Sequence, residues 1–117
     1  MWREEVWAPD AELDVSAESQ YKIGPRDAMI DWVKRQFADQ ISVHHGHSPI
    51  IEITSDTTAT GIWAMEDRLY RGKKHLHGAG FVLGFGHYHE TYVKLEPGWR
   101  IRTSKLTRLR AFTQSTF

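Results

Sequence analysis

The segment RDAMIDWVKRQF, residues 26–37, has the hydrophobic spacing of an amphipathic helix. Its charged residues fall mostly on one side. The opposite side carries the apolar residues Met29, Trp32, Val33 and Phe37. Pro25 suits the first turn of a helix, because its fixed backbone angle is compatible with that position. The pattern therefore predicts one long helix that packs through a single apolar face.

The residues before this helix predict a helix remnant and a small hairpin. MWREEVW, residues 1–7, is typical of the end of a helix, and APD at 8–10 signals a loop. AELDV at 11–15 predicts a short strand, and SQYKI at 19–23 predicts its partner.

After Gln40 the hydrophobic period changes to that of strands, with short turns between them. One helix followed by several strands predicts an α+β domain in which the helix packs against a curved antiparallel sheet. The predicted strands are PIIEITSD at 49–56, TATGIWAMEDRLY at 58–70, FVLGFGHYHETYVKL at 81–95 and WRIRTSKLTRLRAF at 99–112.

The second of these strands carries a carboxylate on its more apolar face. Because strand residues alternate between faces, the face predicted to point inward carries Ala59, Gly61, Trp63, Met65, Asp67 and Leu69. A carboxylate is costly in such a position unless it is paired or functional. Asp67 is therefore either a structural group satisfied by a loop amide or an arginine, or a group that lines a pocket.

The last strand predicts a bulge. Trp99 and Ile101 share one face, but Leu106 falls on the other. An extra residue near Ser104 would reconcile them, because a bulge shifts the alternation by one position. Leu106 and Arg108 would then lie on the inner side, with Arg108 within reach of Asp67.

The run HHGH, residues 44–47, offers several imidazoles at the start of a strand. Alternation counted back from Ile51 and Ile53 predicts that His45 and His47 point inward. The spacing matches no helical H-E-x-x-H motif and no further ligand is evident, so we expect neither a metal site nor a cofactor. An imidazole that works with Asp67 as an acid–base pair is chemically easier, because imidazole takes and returns protons near neutral pH.

A second histidine pair lies in GHYHETY. His87 and His89 share one face of that strand, and Tyr88, Glu90 and Tyr92 share the other. Alternation leaves open which of these faces points inward, so either histidine is also a candidate site residue.

The composition narrows the class of protein. The chain has 117 residues, enough for one domain spanning 1–117, and its 15 basic and 15 acidic residues cancel. This balance argues against a protein that binds nucleic acid or an anionic membrane. It has no cysteine and no apolar run long enough for a membrane span, and we expect a cytoplasmic protein. The many aromatic residues indicate either bulky core fillers or an aromatic-lined cavity for a flat ligand.

Several longer runs resemble the SnoaL-like branch of the NTF2-like superfamily. They are WAPDAELDV, GPRDAMIDWV, ISVHHGHSPIIEITSDTTATGIWAMEDRLY and GWRIRTSKLTRLR, which together cover most of the chain. Within this branch the sequence is most similar to the bacterial bile acid 7α-dehydratases. The resemblance implies a cone-shaped α+β domain whose helices and curved sheet enclose a deep hydrophobic pocket. The branch includes dehydratases, isomerases and cyclases, as well as non-catalytic transport and scaffold proteins.

The resemblance also implies catalytic residues. It places a histidine at His44, an aspartate at Asp67 and an arginine at Arg108. His44 conflicts with the alternation count, and we prefer the motif match because counting across a glycine is unreliable. A tyrosine and an aspartate of the family's first helix would precede Met1, so that helix is expected to be truncated or absent. We further predict substrate contacts for His47, Trp63, Met65, Tyr88 and Glu90.

The function implied is that of a cofactor-free lyase. The expected substrate is a hydrophobic, hydroxylated, steroid-like or polycyclic small molecule that loses water by His/Asp acid–base chemistry. A ketosteroid-type isomerase is the nearest variant, and a non-catalytic ligand-binding or dimerisation module is the alternative from another class. We expect a homodimer or homotrimer, with neither nucleic acid nor a membrane as partner.

Overall fold

The computed structural model describes residues 2–16 and 21–115. In this part of the chain two helices accompany a six-stranded sheet of order β2-β1-β6-β5-β4-β3. Neighbouring strands are antiparallel except β1 and β6, which are parallel. The elements are α1 (Trp2–Val6), β1 (Trp7–Asp14), β2 (Lys22–Ile23), α2 (Arg26–Phe37), β3 (Gln40–Ile53), β4 (Thr58–Arg71), β5 (Gly80–Leu95) and β6 (Gly98–Gln114).

The helix α2 begins and ends at the predicted residues, but it is not a long helix. Its 12 residues make only about three turns. Met29 and Ile30 are buried, and they form a core cluster with Trp7 and Ala11 of β1. The apolar face therefore packs mainly against the first strand.

The N-terminal strand is longer than predicted. The expected loop at 8–10 belongs to β1, which starts at Trp7. Pro9 is tolerated because the pairing of β1 with β6 is irregular between Trp7 and Glu12. The partner strand β2 contains only Lys22 and Ile23, and the first two residues of the predicted SQYKI strand lie outside the described residues.

The sheet has an inner face, which α2 covers, and an outer face on the opposite side. Alternation along β4 follows the prediction, with Ala59, Met65 and Asp67 buried on the inner face. The third strand was predicted too short, since β3 begins at Gln40 and includes the HHGH run. No helix in the described ranges is long and apolar enough to cross a membrane.

Candidate active site

Two charged side chains meet on the inner face. Arg108 of β6 donates two hydrogen bonds to the carboxylate of Asp67 on β4. Nη1 lies 2.8 Å from Oδ1 and Nη2 lies 2.8 Å from Oδ2. The Asp67 side chain is 3% exposed and that of Arg108 is 16% exposed. The predicted contact is therefore present, as a buried bidentate ion pair.

This ion pair spans β5, the strand between β4 and β6, at positions where β5 has glycine. In β5, Gly84 lies opposite Asp67 and Gly86 lies opposite Arg108. A methyl group on Gly84 would meet both the Arg108 guanidinium and the Asp67 carboxylate. Gly84 thus leaves the space in which β4 and β6 are connected, whereas a methyl group on Gly86 would meet the backbone of Thr107 and Arg108. Glycine in a strand is a signal for such close approaches, and it is the signal that sequence reasoning missed.

A bulge in β6 turns Arg108 toward the inner face. The pairing with β5 shifts at Arg102, which is left over between Ile101 and Thr103. The bulge is therefore two residues before the predicted position at Ser104, with the predicted effect. Leu106 is buried on the inner face, in line with Arg108.

His44 also lies on the inner face, directly opposite Asp67 in the pairing of β3 with β4. The alternation count was wrong for His45 and His47, which point to the outer face. The reason is a bulge at residues 48–49, where the pairing shifts and Ser48 adopts a positive φ of 47°. The motif match therefore gave the correct face for His44.

The imidazole of His44 lies near the carboxylate but does not form a hydrogen bond with it. Nε2 of His44 is 3.7 Å from Oδ2 of Asp67, and the ring centroid is 6.0 Å from that of Phe37. Burial raises the pKa of Asp67, while the charges of His44 and Arg71 act in the opposite direction. Removal from water disfavours the charged carboxylate, and the hydrogen bonds from Arg108 offset this cost.

A cavity of about 200 Å³ lies between α2 and the inner face. Its polar lining includes His44, Asp67 and Arg108, together with Gln36, Gln40, Arg71, His75 and Tyr88. Its apolar lining consists of Leu13, Val15, Trp32, Val33, Phe37, Leu69 and Leu106. A titratable cluster at one side of an apolar hollow is the usual composition of a small-molecule site.

Only one of the five residues predicted to contact substrate lines this cavity. Tyr88 does so, and Met65 is buried beside it in the core. Trp63 and Glu90 share the inner face but take part in a separate hydrogen-bonded chain. His47 is exposed on the outer face, away from the cavity.

That chain links Trp63 to Glu90 through Tyr92. The indole Nε1 of Trp63 donates to the Tyr92 hydroxyl at 2.9 Å, and this hydroxyl donates to Glu90 Oε1 at 2.9 Å. Ser104 donates to the other carboxylate oxygen at 2.9 Å. These groups satisfy one another, which favours a structural role for them.

Both inner-face tyrosines are neutral hydrogen-bonding groups at physiological pH. Burial raises the pKa of Tyr88, and the charges of Asp67 and Glu90 act in the same direction. Burial is also the main reason that the pKa of Tyr92 rises to about 12. Tyr88 can therefore offer a ligand in the cavity a phenol proton.

The cavity is also lined by His75, which lies between two predicted strands and was not predicted as a site residue. His75 is buried, and its Nε2 donates to the carbonyl of Gln36 at 2.7 Å. Its Nδ1 accepts a hydrogen bond from the backbone N–H of His77 at 3.0 Å. Because both ring nitrogens are engaged, His75 anchors the loop after β4 to α2. The sequence pattern gave no signal for this long-range contact.

The structure shows which face of β5 points inward, a question that alternation left open. Tyr88 points inward, so His87 and His89 lie on the outer face, where His89 Nε2 is 2.9 Å from Thr107 Oγ1. Neither histidine is near the cavity. The catalytic roles of His44, Asp67 and Arg108 stay predictions, but these three residues converge.

The chain is similar to proteins of one domain family. The family model described as SnoaL-like domain matches residues 2–105. The Kfla4162 protein from Kribbella flavida is 17% identical, with a TM-score of 0.84 over 94% of this chain and 76% of that chain. Hexachlorocyclohexane dehydrochlorinase LinA-type3 from Novosphingobium barchaimii is 18% identical, with a TM-score of 0.76 over 95% and 73%.

A protein from Novosphingobium aromaticivorans assigned as a scytalone dehydratase is similar as well. It is 18% identical, with a TM-score of 0.74 over 92% of this chain and 68% of that chain. At these identities the structures share the fold, and the family model covers most of the sequence. The chain therefore belongs to the SnoaL-like domain family and has the NTF2-like fold.

Proposed function

We propose that the protein is a cofactor-free lyase that removes water from a hydrophobic, hydroxylated small molecule. The observation that carries this proposal is the convergence of His44, Asp67 and Arg108 at one side of a mostly apolar cavity. Two proteins of the same fold are named for elimination reactions, a dehydrochlorinase and a dehydratase. Their names support an elimination, and the reaction of this chain rests on its own side chains.

His44 is the proposed acid–base group. Its Nε2 faces Asp67, which leaves Nδ1 as the ring nitrogen available to a ligand. Nδ1 takes a proton from a carbon next to a substrate carbonyl, and the electrons of that C–H bond form a C=C bond. The C–O bond of the neighbouring hydroxyl breaks, and the proton returned by His44 leaves with it as water. The imidazole ends the cycle unchanged.

Asp67 and Arg108 have supporting roles in this proposal. The carboxylate attracts the imidazolium that forms during proton transfer, across the 3.7 Å between Oδ2 and Nε2. Both Nη atoms of Arg108 donate to Asp67. Arg108 is therefore a positioning residue in this proposal.

The volume of the cavity limits the part of the substrate that it holds. Pockets for drug-sized ligands have volumes of about 300–1,000 Å³, whereas this cavity has about 200 Å³. A steroid-like substrate would insert only the reacting end and leave the rest outside. A compound of one or two rings would fit more completely.

A non-catalytic ligand-binding module is the second candidate. It is favoured by the engagement of Asp67 with Arg108 and by the 3.7 Å separation from His44, which is longer than a hydrogen bond. Such a module would bind the same class of compounds without turning them over.

The test is turnover of a panel of β-hydroxy carbonyl compounds that carry one to four rings. The absorbance of the conjugated double bond reports the loss of water, and calorimetry reports ligand affinity. We expect His44→Ala to lower kcat by about 10²-fold or more, the contribution of a positioned acid–base group. Ligand affinity should change much less.

His89→Ala is the matched control, because it removes an imidazole from the outer face. It should retain the wild-type kcat. Equal kcat values for wild type and His44→Ala would remove the proposed role of His44. Binding without turnover across the panel would favour the non-catalytic module.

A further inference from the structure

We propose a divalent transition-metal site, with Zn²⁺ as the favoured ion, formed by His45, His47 and Glu66 on the outer face of the sheet. One ligand atom of each residue lies within 4.8 Å of the other two. Imidazole nitrogens and a carboxylate oxygen are the donors that zinc takes in sites with three protein ligands. The proposal goes against the sequence-based expectation of no metal site, and it is independent of the proposed lyase function.

The distances are close to those of a common coordination sphere. His45 Nδ1 is 3.1 Å from Glu66 Oε1, and His47 Nε2 is 3.9 Å from the same oxygen. Zinc–ligand bonds of about 2.0–2.1 Å at tetrahedral angles place the ligand atoms roughly 3.3 Å apart. Small rotations of the exposed histidine side chains, 51% and 55% accessible, are enough to close this geometry.

The fold itself brings these three residues together. His45 and His47 are two positions apart on β3, so their side chains share a face. Glu66 of β4 lies directly opposite His45. The bulge at residues 48–49 gives both histidines the outer orientation, away from His44 and the cavity.

The remaining coordination positions would be open to water or to an external ligand. A shallow groove on the outer face begins at His47 and Glu66 and continues past Phe85 and His87. The guanidinium of Arg68 lies 3.9 Å from Glu66 Oε1 and competes for the carboxylate. Removal of this competing cation should therefore strengthen metal binding, whereas removal of a ligand should weaken it.

The protein also provides a control motif of the same kind. His87 and His89 are two positions apart on β5 and share the outer face. Their directly paired neighbours are Ala64 and Thr107 for His87, and Ile62 and Lys105 for His89. This second His-x-His pair therefore has no carboxylate opposite it in either adjoining strand.

The experiment is calorimetric titration of the untagged, chelator-treated protein with ZnCl₂. We expect one Zn²⁺ per chain in the wild type. The double variant His45→Ala/His47→Ala, or Glu66→Gln alone, should weaken binding by more than about tenfold, since even the loss of an outer partner of a ligand costs that much. Arg68→Gln should strengthen binding by roughly two- to fivefold, the value of an exposed ion pair.

The control double variant His87→Ala/His89→Ala should bind Zn²⁺ like the wild type. With Cu²⁺ as a spectroscopic probe, electron paramagnetic resonance should report two equatorial imidazoles, and this signal should disappear in the His45/His47 variant only. Absence of Zn²⁺ binding to the wild type, or loss of binding in the His87/His89 variant instead, would overturn the proposal. None of these readouts depends on lyase activity, so the two proposals can fail separately.

Discussion

At the scale of single residues, Asp67 and Arg108 depend on each other for a stable place in the inner face. Each is removed from water, and each is compensated by the other through two hydrogen bonds. Removing one partner from a buried ion pair leaves an uncompensated charge and costs about 3–5 kcal/mol. Removing both charges together costs less free energy, because no unpaired buried charge remains.

We therefore expect Arg108→Met to lower the free energy of unfolding by roughly 3 kcal/mol. The same change at Arg102, which pairs with Asp10 at 3.0 Å on the exposed surface, should cost less than about 1 kcal/mol. Urea denaturation of both variants measures the difference. A double variant Asp67→Asn/Arg108→Met should recover part of the loss, and equal effects at Arg102 and Arg108 would contradict a buried pair.

The sequence predicted these residues to different degrees. Alternation along one uninterrupted strand was sufficient for Asp67, because β4 pairs with β5 without a shift. Arg108 required an assumed bulge, and His44 was reached only through the family resemblance. The positive φ of Ser48 at the bulge in β3 is a local backbone choice that hydrophobic periodicity does not encode.

At the scale of elements, β5 contributes to the site through a glycine that leaves room for the ion pair between β4 and β6. A side chain at Gly84 would occupy the space in which Asp67 and Arg108 meet. The predicted effect of adding a methyl group there is therefore much larger than the usual effect of alanine in a strand.

We expect Gly84→Ala to destabilise the protein by about 1–3 kcal/mol, the cost of overpacking, and to disrupt the ion pair. Gly46→Ala is a suitable control in β3, because its methyl group would find only ordinary contacts, 3.5 Å from Trp63 and 4.0 Å from Ala64. Thermal unfolding should separate the two variants. Equal melting temperatures would show that the space at Gly84, where Asp67 and Arg108 meet, tolerates a side chain.

The elements themselves were predicted better than their ends. The bounds of α2 follow from its apolar spacing, and the turns of the sheet follow from their glycine, proline and aspartate residues. The start of β3 was missed because Ile41 and Val43 are the only large apolar residues between Gln40 and Ser48, too few to show a strand period. The true extent of β1 was missed because a proline normally indicates a loop.

At the scale of the whole molecule, α2 leaves the outer face of the sheet uncovered, because it packs on the opposite side. The expectation of a homodimer or homotrimer is therefore best placed there, and we propose self-association through this face. The exposed apolar side chains on it include Ile41, Ile50, Ile62, Tyr70 and Phe112. Ile41 pairs with Tyr70 and Ile50 with Ile62, so these residues form separate apolar patches on either side of the His45/Glu66 pair. Exposed apolar patches mark interaction sites.

Light scattering after size-exclusion chromatography should give the mass of two or three chains for the wild type. Ile62→Glu should shift this mass toward that of one chain, because it places a charge in the proposed contact. Ile53→Glu is the control, because Ile53 pairs with Ala59 of the inner face and is already 65% exposed. A monomeric wild type would exclude the proposed association.

The parallel pairing of β1 with β6 has a consequence for biosynthesis. Trp7 pairs with Ile101 and Leu13 with Ser104, so β1 can pair with β6 only after most of the domain has been synthesised. Contacts between such distant segments slow folding, because a long loop must be ordered before they form. A nascent chain in which β6 is not yet synthesised holds α2 and β1 without this partner strand. We therefore expect ligand-binding competence to appear only after β6 has left the ribosome.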